Sequence, residues 1–171
     1  MAYPTKSRFI FSIAAAAALV GSSALAEPVS VEAVLTPQEQ MKFQFEDGSK
    51  HFVLAVRREG TFQGSGAFAG ARVTEFGWHD VNFPVSGDPE GYLQITTEGG
   101  DVAVLRWTVR AAFMNGEDKP ALFNNGFWEL VSGTGQFDGK RGIGSLILEP
   151  AGGPTKFILE GEVGDPSMSS P

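Results

Sequence analysis

The chain has 171 residues, a formal net charge of −7 and no cysteine. This length suits one domain with a single core. The negative charge excludes phosphate backbones as partners, so we expect no nucleic acid binding. The lack of cysteine excludes disulfides and thiolate metal sites.

Residues 1–26 have the pattern of a signal peptide. Lys6 and Arg8 precede a short run rich in alanine, and Ala-Leu-Ala at 24–26 matches the small-x-small cleavage pattern. The run is shorter than the about 20 apolar residues that a membrane span needs, although an uncleaved anchor helix is the alternative. We therefore expect a periplasmic or secreted protein with no membrane attachment after cleavage.

Short runs of valine, phenylalanine, threonine and isoleucine, separated by glycine, predict a sheet protein. The clearest run is residues 102–113, where apolar side chains alternate with a more polar set, as in a strand with one apolar face. The apolar face is formed by Ala103, Leu105, Trp107, Val109, Ala111 and Phe113. Eight strands are predicted, near residues 41–46, 51–62, 70–83, 91–97, 102–113, 126–137, 142–149 and 155–162.

These strands predict an all-β fold: a single eight-stranded antiparallel β-barrel over residues 27–163, with a sandwich as the alternative. Residues 29–41 are the one segment with room for a helical turn, which Pro37 would keep short. Residues 164–171 are small and polar, which predicts a disordered tail. Charged residues interrupt both strand faces, and this argues against a lipid-facing barrel.

A glycine-rich pattern occurs twice. Residues 64–72 read GSGAFAGAR and residues 133–141 read GTGQFDGKR, so both fit G-[ST]-G-x-F-x-G-x-R. The second copy is not a phosphate loop, because Arg141 stands where serine or threonine is needed, and it lacks the third glycine of a dinucleotide fingerprint. We expect two similar half-barrels instead, with glycines at tight bends and Phe68 and Phe137 as core anchors.

The segment WELVSGTGQFDGKRGIGSLIL, residues 128–148, resembles the glycine-rich stretch of the allene oxide cyclase and dirigent superfamily. It is also similar to bacterial secreted proteins of unassigned function with the same barrel. Gly100-Asp101 precedes the motif in the order found there, whereas Ser132 replaces one glycine of the family pattern. The resemblance covers about residues 90–163. It implies a small eight-stranded barrel, but no catalytic residue of the family can be matched.

The stretch EFGWHDVNF, which begins at Glu75, is the richest local cluster of candidate site residues. Alternation puts Trp78, Asp80 and Asn82 on one strand face, and Glu75 and His79 on the other. If the first face points into the barrel, polar groups beside an aromatic would line a ligand pocket. If the second face points inward, His79 and Glu75 could form an acid/base pair. A half-exposed strand with solvated charges is the third interpretation.

Two further strands supply candidates. Glu129 follows Trp128 among apolar neighbours, where a buried carboxylate would suit proton transfer, while an outward position would make it an ordinary surface group. Trp128 is a candidate ligand contact. Arg106 and Arg110 lie on the same face of one strand, with Thr108 between them on that face. They could hold the carboxylate of a ligand or pair with acids on neighbouring strands.

Three functions remain open at this point. The first is an exported barrel that binds a small apolar or aromatic ligand in its lumen. The second, raised by the resemblance, is a cofactor-free isomerase or cyclase in which Glu129 assists. The third is a structural or protein-interaction module, with a homo-oligomer open. No motif predicts a cofactor. The two histidines do not have the spacing of metal ligands. The charged side chains of RRE, residues 57–59, are expected to be solvated.

Overall fold

The computed structural model describes residues 26–114 and 121–166. The predicted signal peptide up to residue 25, and the predicted tail from residue 167, lie outside the described residues. The strands are β1 Glu27–Gln44, β2 His51–Thr61, β3 Gln63–Gly66, β4 Arg72–Asn82, β5 Ser86–Thr96, β6 Val102–Met114, β7 Ala121–Gly133, β8 Arg141–Pro150 and β9 Thr155–Gly164. A 3₁₀ turn, Gly135–Phe137, separates β7 from β8, and no helix in the described ranges is long and apolar enough to cross a membrane.

Eight of the strands close into an antiparallel barrel. The pairing order runs β2, β4, β5, β6, β7, β8, β9 and β1, and β1 then pairs with β2. Strand β1 makes this closure because its first half pairs with β9 and its second half, from Thr36, pairs with β2. The short strand β3 pairs with Val29–Glu32 of β1 on the edge away from β9. The predicted all-β, eight-stranded barrel is therefore confirmed, with one extra strand.

Residues 29–41, which left room for a helical turn, form none, because this segment belongs to β1. Val29, Val31 and Ala33 are buried while their neighbours are exposed, which is the period of a strand rather than of a helix. Pro37 falls where the β1–β2 register shifts, so its missing N–H interrupts no regular ladder. The sequence does not predict strand β3, because its four residues, QGSG, have no alternation of apolar and polar side chains.

Side chains fill the lumen of the barrel. The largest fully buried ones include Trp107, Trp128, Phe62, Phe68 and Phe157. The predicted alternation of β6 is confirmed, because its apolar face is turned inward. Eight-stranded barrels are commonly packed in this way. In the described part of the chain, the cavities that stand out open on the outer surface rather than into this lumen.

The two glycine-rich copies meet inside the barrel. Phe68 and Phe137 are both buried, and their ring centroids lie 5.7 Å apart. Gly70 and Gly139, at the same place in each copy, have φ values of 75° and 68°, a region that L side chains rarely adopt. The prediction that the repeated pattern is architectural, with phenylalanine as the core anchor, is therefore confirmed.

Three more glycines lie against Trp128 and the neighbouring strand. A Cβ atom on Gly144 would lie 2.6 Å from Nε1 of Trp128 and overlap the backbone oxygen of Glu160, and one on Gly161 would lie 2.8 Å from Cζ2 of Trp128 and overlap the backbone oxygen of Ile143. A Cβ atom on Gly142 would meet Trp128 less tightly, at 3.2 Å from Cζ3. Glycine at 144 and 161 therefore makes room both for a core indole and for the backbone of the paired strand.

Candidate functional site

Strand β4 turns its Glu75 and His79 face into the barrel. Glu75 is 0% exposed and His79 is 9% exposed, whereas Trp78 is 46% exposed. Of the alternatives drawn from the sequence, the one with an inward His79 is the arrangement of the structure. Asp80 and Asn82 share the outer face with Trp78 and are exposed.

A buried ionic cluster joins β2 to β4 inside the barrel. Nη1 of Arg58 donates to both carboxylate oxygens of Glu75, at 2.6 and 2.9 Å. The same Nη1 lies 3.2 Å from Nε2 of His79, which is 3.5 Å from Oε1 of Glu75. The expectation that the charges of RRE are all solvated is wrong for Arg58, because the alternation of β2 turns this residue inward. The carboxylate has its counter-ion inside the protein, as a buried charge requires.

Gly77 makes this cluster possible. It lies between Glu75 and His79 on the inner face of β4, and a Cβ atom there would overlap the Glu75 carboxylate and lie 2.9 Å from Nε2 of His79. Any larger residue would therefore push apart the two groups that Arg58 holds together. On its outer side, the same stretch of β4 lines a surface groove.

A groove of about 650 Å³ lies on the outer face of the barrel. The backbone of β4 and β5 contributes to it at Gly77 and Gly91, which pair with each other in register. Three aromatic side chains stand along it, and each is about half exposed: Phe76 at 50%, Trp78 at 46% and Tyr92 at 48%. The other lining residues are Glu39, Gln40, Met41, Ala55, Val56, Arg57, Glu90 and Arg106.

The two arginines of the groove differ in their ionic partners. Arg57 is paired with Glu39 at 3.0 Å and with Glu59. The hydrogen bond to Glu39 is the main cause that raises the pKa of Arg57 above its ordinary value. Within the described ranges, no carboxylate lies within 4.0 Å of the Arg106 guanidinium, although Glu129 is its register partner on β7. Arg106 is therefore the cation of the groove that remains available to a ligand.

The structure separates the residues that the sequence suggested for a site. Trp78 and Arg106 line the groove. Asp80 pairs with His51 at 2.6 Å, and Arg110 pairs with Asp88, so both are engaged on the outer surface.

The other three candidates also lie apart from one another. Asn82 is exposed at the end of β4. Trp128 is fully buried in the core. Glu129 is half-buried and alternates with the inward-facing Trp128 and Leu130, so it points outward.

Sequence reasoning missed three contributors: Phe76, Tyr92 and Arg58. Phe76 and Tyr92 are direct register partners on β4 and β5, and Tyr92 is in turn the partner of Arg106 on β6. The period-two pattern of each strand could have indicated which side chains share a face. It does not say which strands are neighbours, so the aromatic row is invisible without the pairing. Among the described residues, no group of three histidine or acidic side chains is arranged to hold a metal ion.

Comparison with known proteins places the fold but not a function. No family model matches the sequence, and no curated protein matches it. A crystal structure of a β-barrel-like protein from Acinetobacter baumannii AYE is similar, with a TM-score of 0.59 and 12% identity over 81% of this chain and 96% of that chain. A protein of unknown function from the DUF3224 family of Shewanella oneidensis MR-1 covers the same shares, with 15% identity and a TM-score of 0.43, which is too low to carry an argument. The similarity to the Acinetobacter protein shows a common β-barrel fold.

Proposed function

We propose that this protein binds a small, flat, apolar or aromatic molecule that carries an acidic group, and that the binding site is the outer groove. The observation that carries the proposal is the row of three half-exposed aromatic side chains, Phe76, Trp78 and Tyr92, around one cavity. Exposed apolar surface of this kind is uncommon on monomers except where something binds. Stacked aromatic pairs contribute about 0.5–1.5 kcal/mol each beyond their buried area.

The groove is a better candidate than the lumen, where a ligand was expected from the sequence. Trp107, Trp128 and Phe157 occupy the lumen and have no exposed surface, so a ligand of ten or more atoms would have to displace core side chains. The groove offers about 650 Å³ that is already open. This volume lies within the roughly 300–1,000 Å³ of common ligand sites.

Arg106 supports an acidic group on the ligand. Its guanidinium has no carboxylate within ion-pairing distance in the described ranges and lines the groove beside Tyr92. A guanidinium binds a carboxylate through two parallel hydrogen bonds, which would fix the orientation of a flat acid against the aromatic row. Glu90 lines the same groove and could accept a hydrogen bond from a hydroxyl or amino substituent.

The isomerase alternative has less support. Of its candidate carboxylates, Glu129 points outward, and Glu75 has no exposed surface and is bound by Arg58. A ligand-binding protein without catalytic activity is therefore a simpler proposal than an isomerase. The predicted signal peptide would make this a binding protein of the periplasm or the medium.

Isothermal titration calorimetry with 2-naphthoate, a flat aromatic acid, tests the proposal. Trp78→Leu should weaken 2-naphthoate by about two- to tenfold, because it removes one stacking surface. Arg106→Gln should weaken the acid by a similar factor and leave 2-naphthalenemethanol, the neutral analogue, almost unchanged.

Matched controls come from the same outer surface. Arg72→Gln changes an exposed arginine of β4 that is outside the groove, and Phe127→Leu changes an exposed aromatic of β7 that is also outside it. Both should bind 2-naphthoate like the wild type. The proposal fails if the wild type binds neither probe, or if the two controls lose as much affinity as the groove variants.

A further inference from the structure

Glu90 is a second charged group of the outer groove that forms no ion pair. Its carboxylate and the guanidinium of Arg106 both line the cavity, and both side chains are exposed. In the described part of the chain, no lysine, arginine or histidine nitrogen lies within 4.0 Å of the Glu90 carboxylate. The groove therefore offers a ligand one positive and one negative group.

The other charged side chains that line the groove do not alter this balance. Glu39 and Arg57 pair with each other at 3.0 Å, and Arg57 also pairs with Glu59. Among the lining residues, these contacts leave Glu90 and Arg106 as the unpaired charges. Because the two charges are opposite, a ligand that matches both of them carries no net charge.

Strand register places Glu90 and Arg106 on the same side of the aromatic row. Tyr92 is the register partner of Arg106 on β6, and Glu90 is the register partner of Trp78 on β4. Since Glu90 and Tyr92 share one face of β5, Glu90 and Arg106 are diagonal neighbours on adjacent strands, with Cα atoms about 7–8 Å apart. Long side chains can meet across this distance, yet these two form no ion pair. The space between them is open to the head group of a ligand.

An α-amino acid has the head group that fits this arrangement. It carries a carboxylate and an ammonium group on one carbon, and its side chain leaves that carbon in a third direction. The carboxylate can accept two parallel hydrogen bonds from the Arg106 guanidinium, while the ammonium group donates to Glu90. An aromatic side chain then extends towards β4, where Phe76 and Trp78 stand along the groove.

Molecules with only one of these charges fit the groove less well. A simple acid bound to Arg106 would bring its carboxylate close to Glu90, and like charges repel each other. A simple amine bound to Glu90 would meet the Arg106 guanidinium in the same way. Each of them would also leave one charged group of the groove unpaired. The two residues together therefore select for a zwitterion.

We propose that the ligand of the outer groove is an aromatic α-amino acid, which Arg106 binds at its carboxylate and Glu90 binds at its ammonium group. This inference rests on the proposed function, because it assigns a ligand class to the same groove. Trp78 contributes twice: its ring offers a surface to the aromatic side chain, and it lies beside Glu90, where an aromatic ring attracts an ammonium group.

The test is isothermal titration calorimetry with L-tryptophan and two analogues that each lack one charge. The first analogue, 3-indolepropionate, has the carboxylate but no ammonium group, and the second, tryptamine, has the ammonium group but no carboxylate. We expect the wild type to bind L-tryptophan about two- to fivefold more tightly than either analogue, which is the size of one exposed ion pair.

Two variants assign each preference to one residue. Glu90→Gln should bind L-tryptophan and 3-indolepropionate with equal affinity, because the partner of the ammonium group is lost. Arg106→Gln should bind L-tryptophan and tryptamine with equal affinity for the corresponding reason. Glu160→Gln is the matched control, since it removes an exposed carboxylate from the outer face of β9, outside the groove, and it should keep both preferences.

The inference and the proposed function can fail separately. A wild type that binds 2-naphthoate but prefers L-tryptophan to neither analogue would overturn the amino acid assignment and leave the groove as a site for acids. A preference for L-tryptophan over 3-indolepropionate that survives in Glu90→Gln would also overturn it, because Glu90 would then not bind the ammonium group. A wild type that binds none of these probes, 2-naphthoate included, would overturn both.

Discussion

The replacement Arg58→Met tests whether the ionic cluster is desolvated, as its burial indicates. Glu75 has no exposed surface, and both of its oxygens depend on Nη1 of Arg58. Methionine fills part of the volume of arginine but leaves the carboxylate without a counter-ion. Removing one partner of a buried pair costs about 3–5 kcal/mol, because the remaining charge stays in the interior. That is a large share of the roughly 5–15 kcal/mol that stabilises an ordinary domain.

The adjacent residue provides the control. Arg57 is on the outer face of the same strand, its side chain is 29% exposed, and it also forms ion pairs. Arg57→Met should cost no more than about 1 kcal/mol, as surface pairs usually do. Replacing both partners, in Arg58→Met with Glu75→Leu, should recover most of the loss, since no unpaired charge then remains.

The assay is urea unfolding followed by far-ultraviolet circular dichroism, with the free energy compared at equal m-values. The expected order of loss is Arg58→Met, then the double variant, with Arg57→Met close to the wild type. An Arg58→Met variant that lost no more stability than Arg57→Met would contradict this expectation, because Glu75 would then be hydrated in the folded protein.

Three further predictions concern the core and its glycines. Phe137→Ala removes a ring that packs on Phe68, so unfolding should require about 3–5 kcal/mol less; an unchanged urea midpoint would contradict this. Gly144→Ala should destabilise the barrel by about 1–3 kcal/mol or more, because the new Cβ would overlap the backbone oxygen of Glu160 and lie 2.6 Å from Nε1 of Trp128, and near-ultraviolet circular dichroism should report a disturbed indole. Gly139→Ala should cost only the roughly 1–2 kcal/mol of a left-handed backbone, since its φ is 68° and nothing lies within 4 Å of the new atom; a larger loss in urea unfolding would show an unseen contact.

Local pattern predicts most of the barrel. Strand β6 is readable because its apolar residues alternate without interruption, and the repeated glycine motif is readable because only an architectural role fits both copies. Strand β1 is obscured by Pro37, which sequence rules treat as a breaker but which the structure accommodates at a register shift. The first residues of β5 are hidden in the same way, because Pro89 is part of the strand.

The site is much less predictable from the sequence. The alternation of β4 gives two faces, but only the closed barrel decides that Glu75 is inside and Trp78 outside. Arg58 looks like any solvated arginine until β2 is paired with β4, because the partner that stabilises it is 17 residues away in the chain. The row of Phe76 and Tyr92 arises from pairing across strands, which no single strand encodes.

A crystal structure of the protein grown with 2-naphthoate, at a concentration that saturates the calorimetric titration, is the most direct test of the outer groove as the ligand site. We predict density for the ring on the outer surface, against Trp78 and between Phe76 and Tyr92, with the carboxylate at Arg106. Density for the ring inside the barrel, among Trp107 and Phe157, would contradict it and return the ligand site to the lumen.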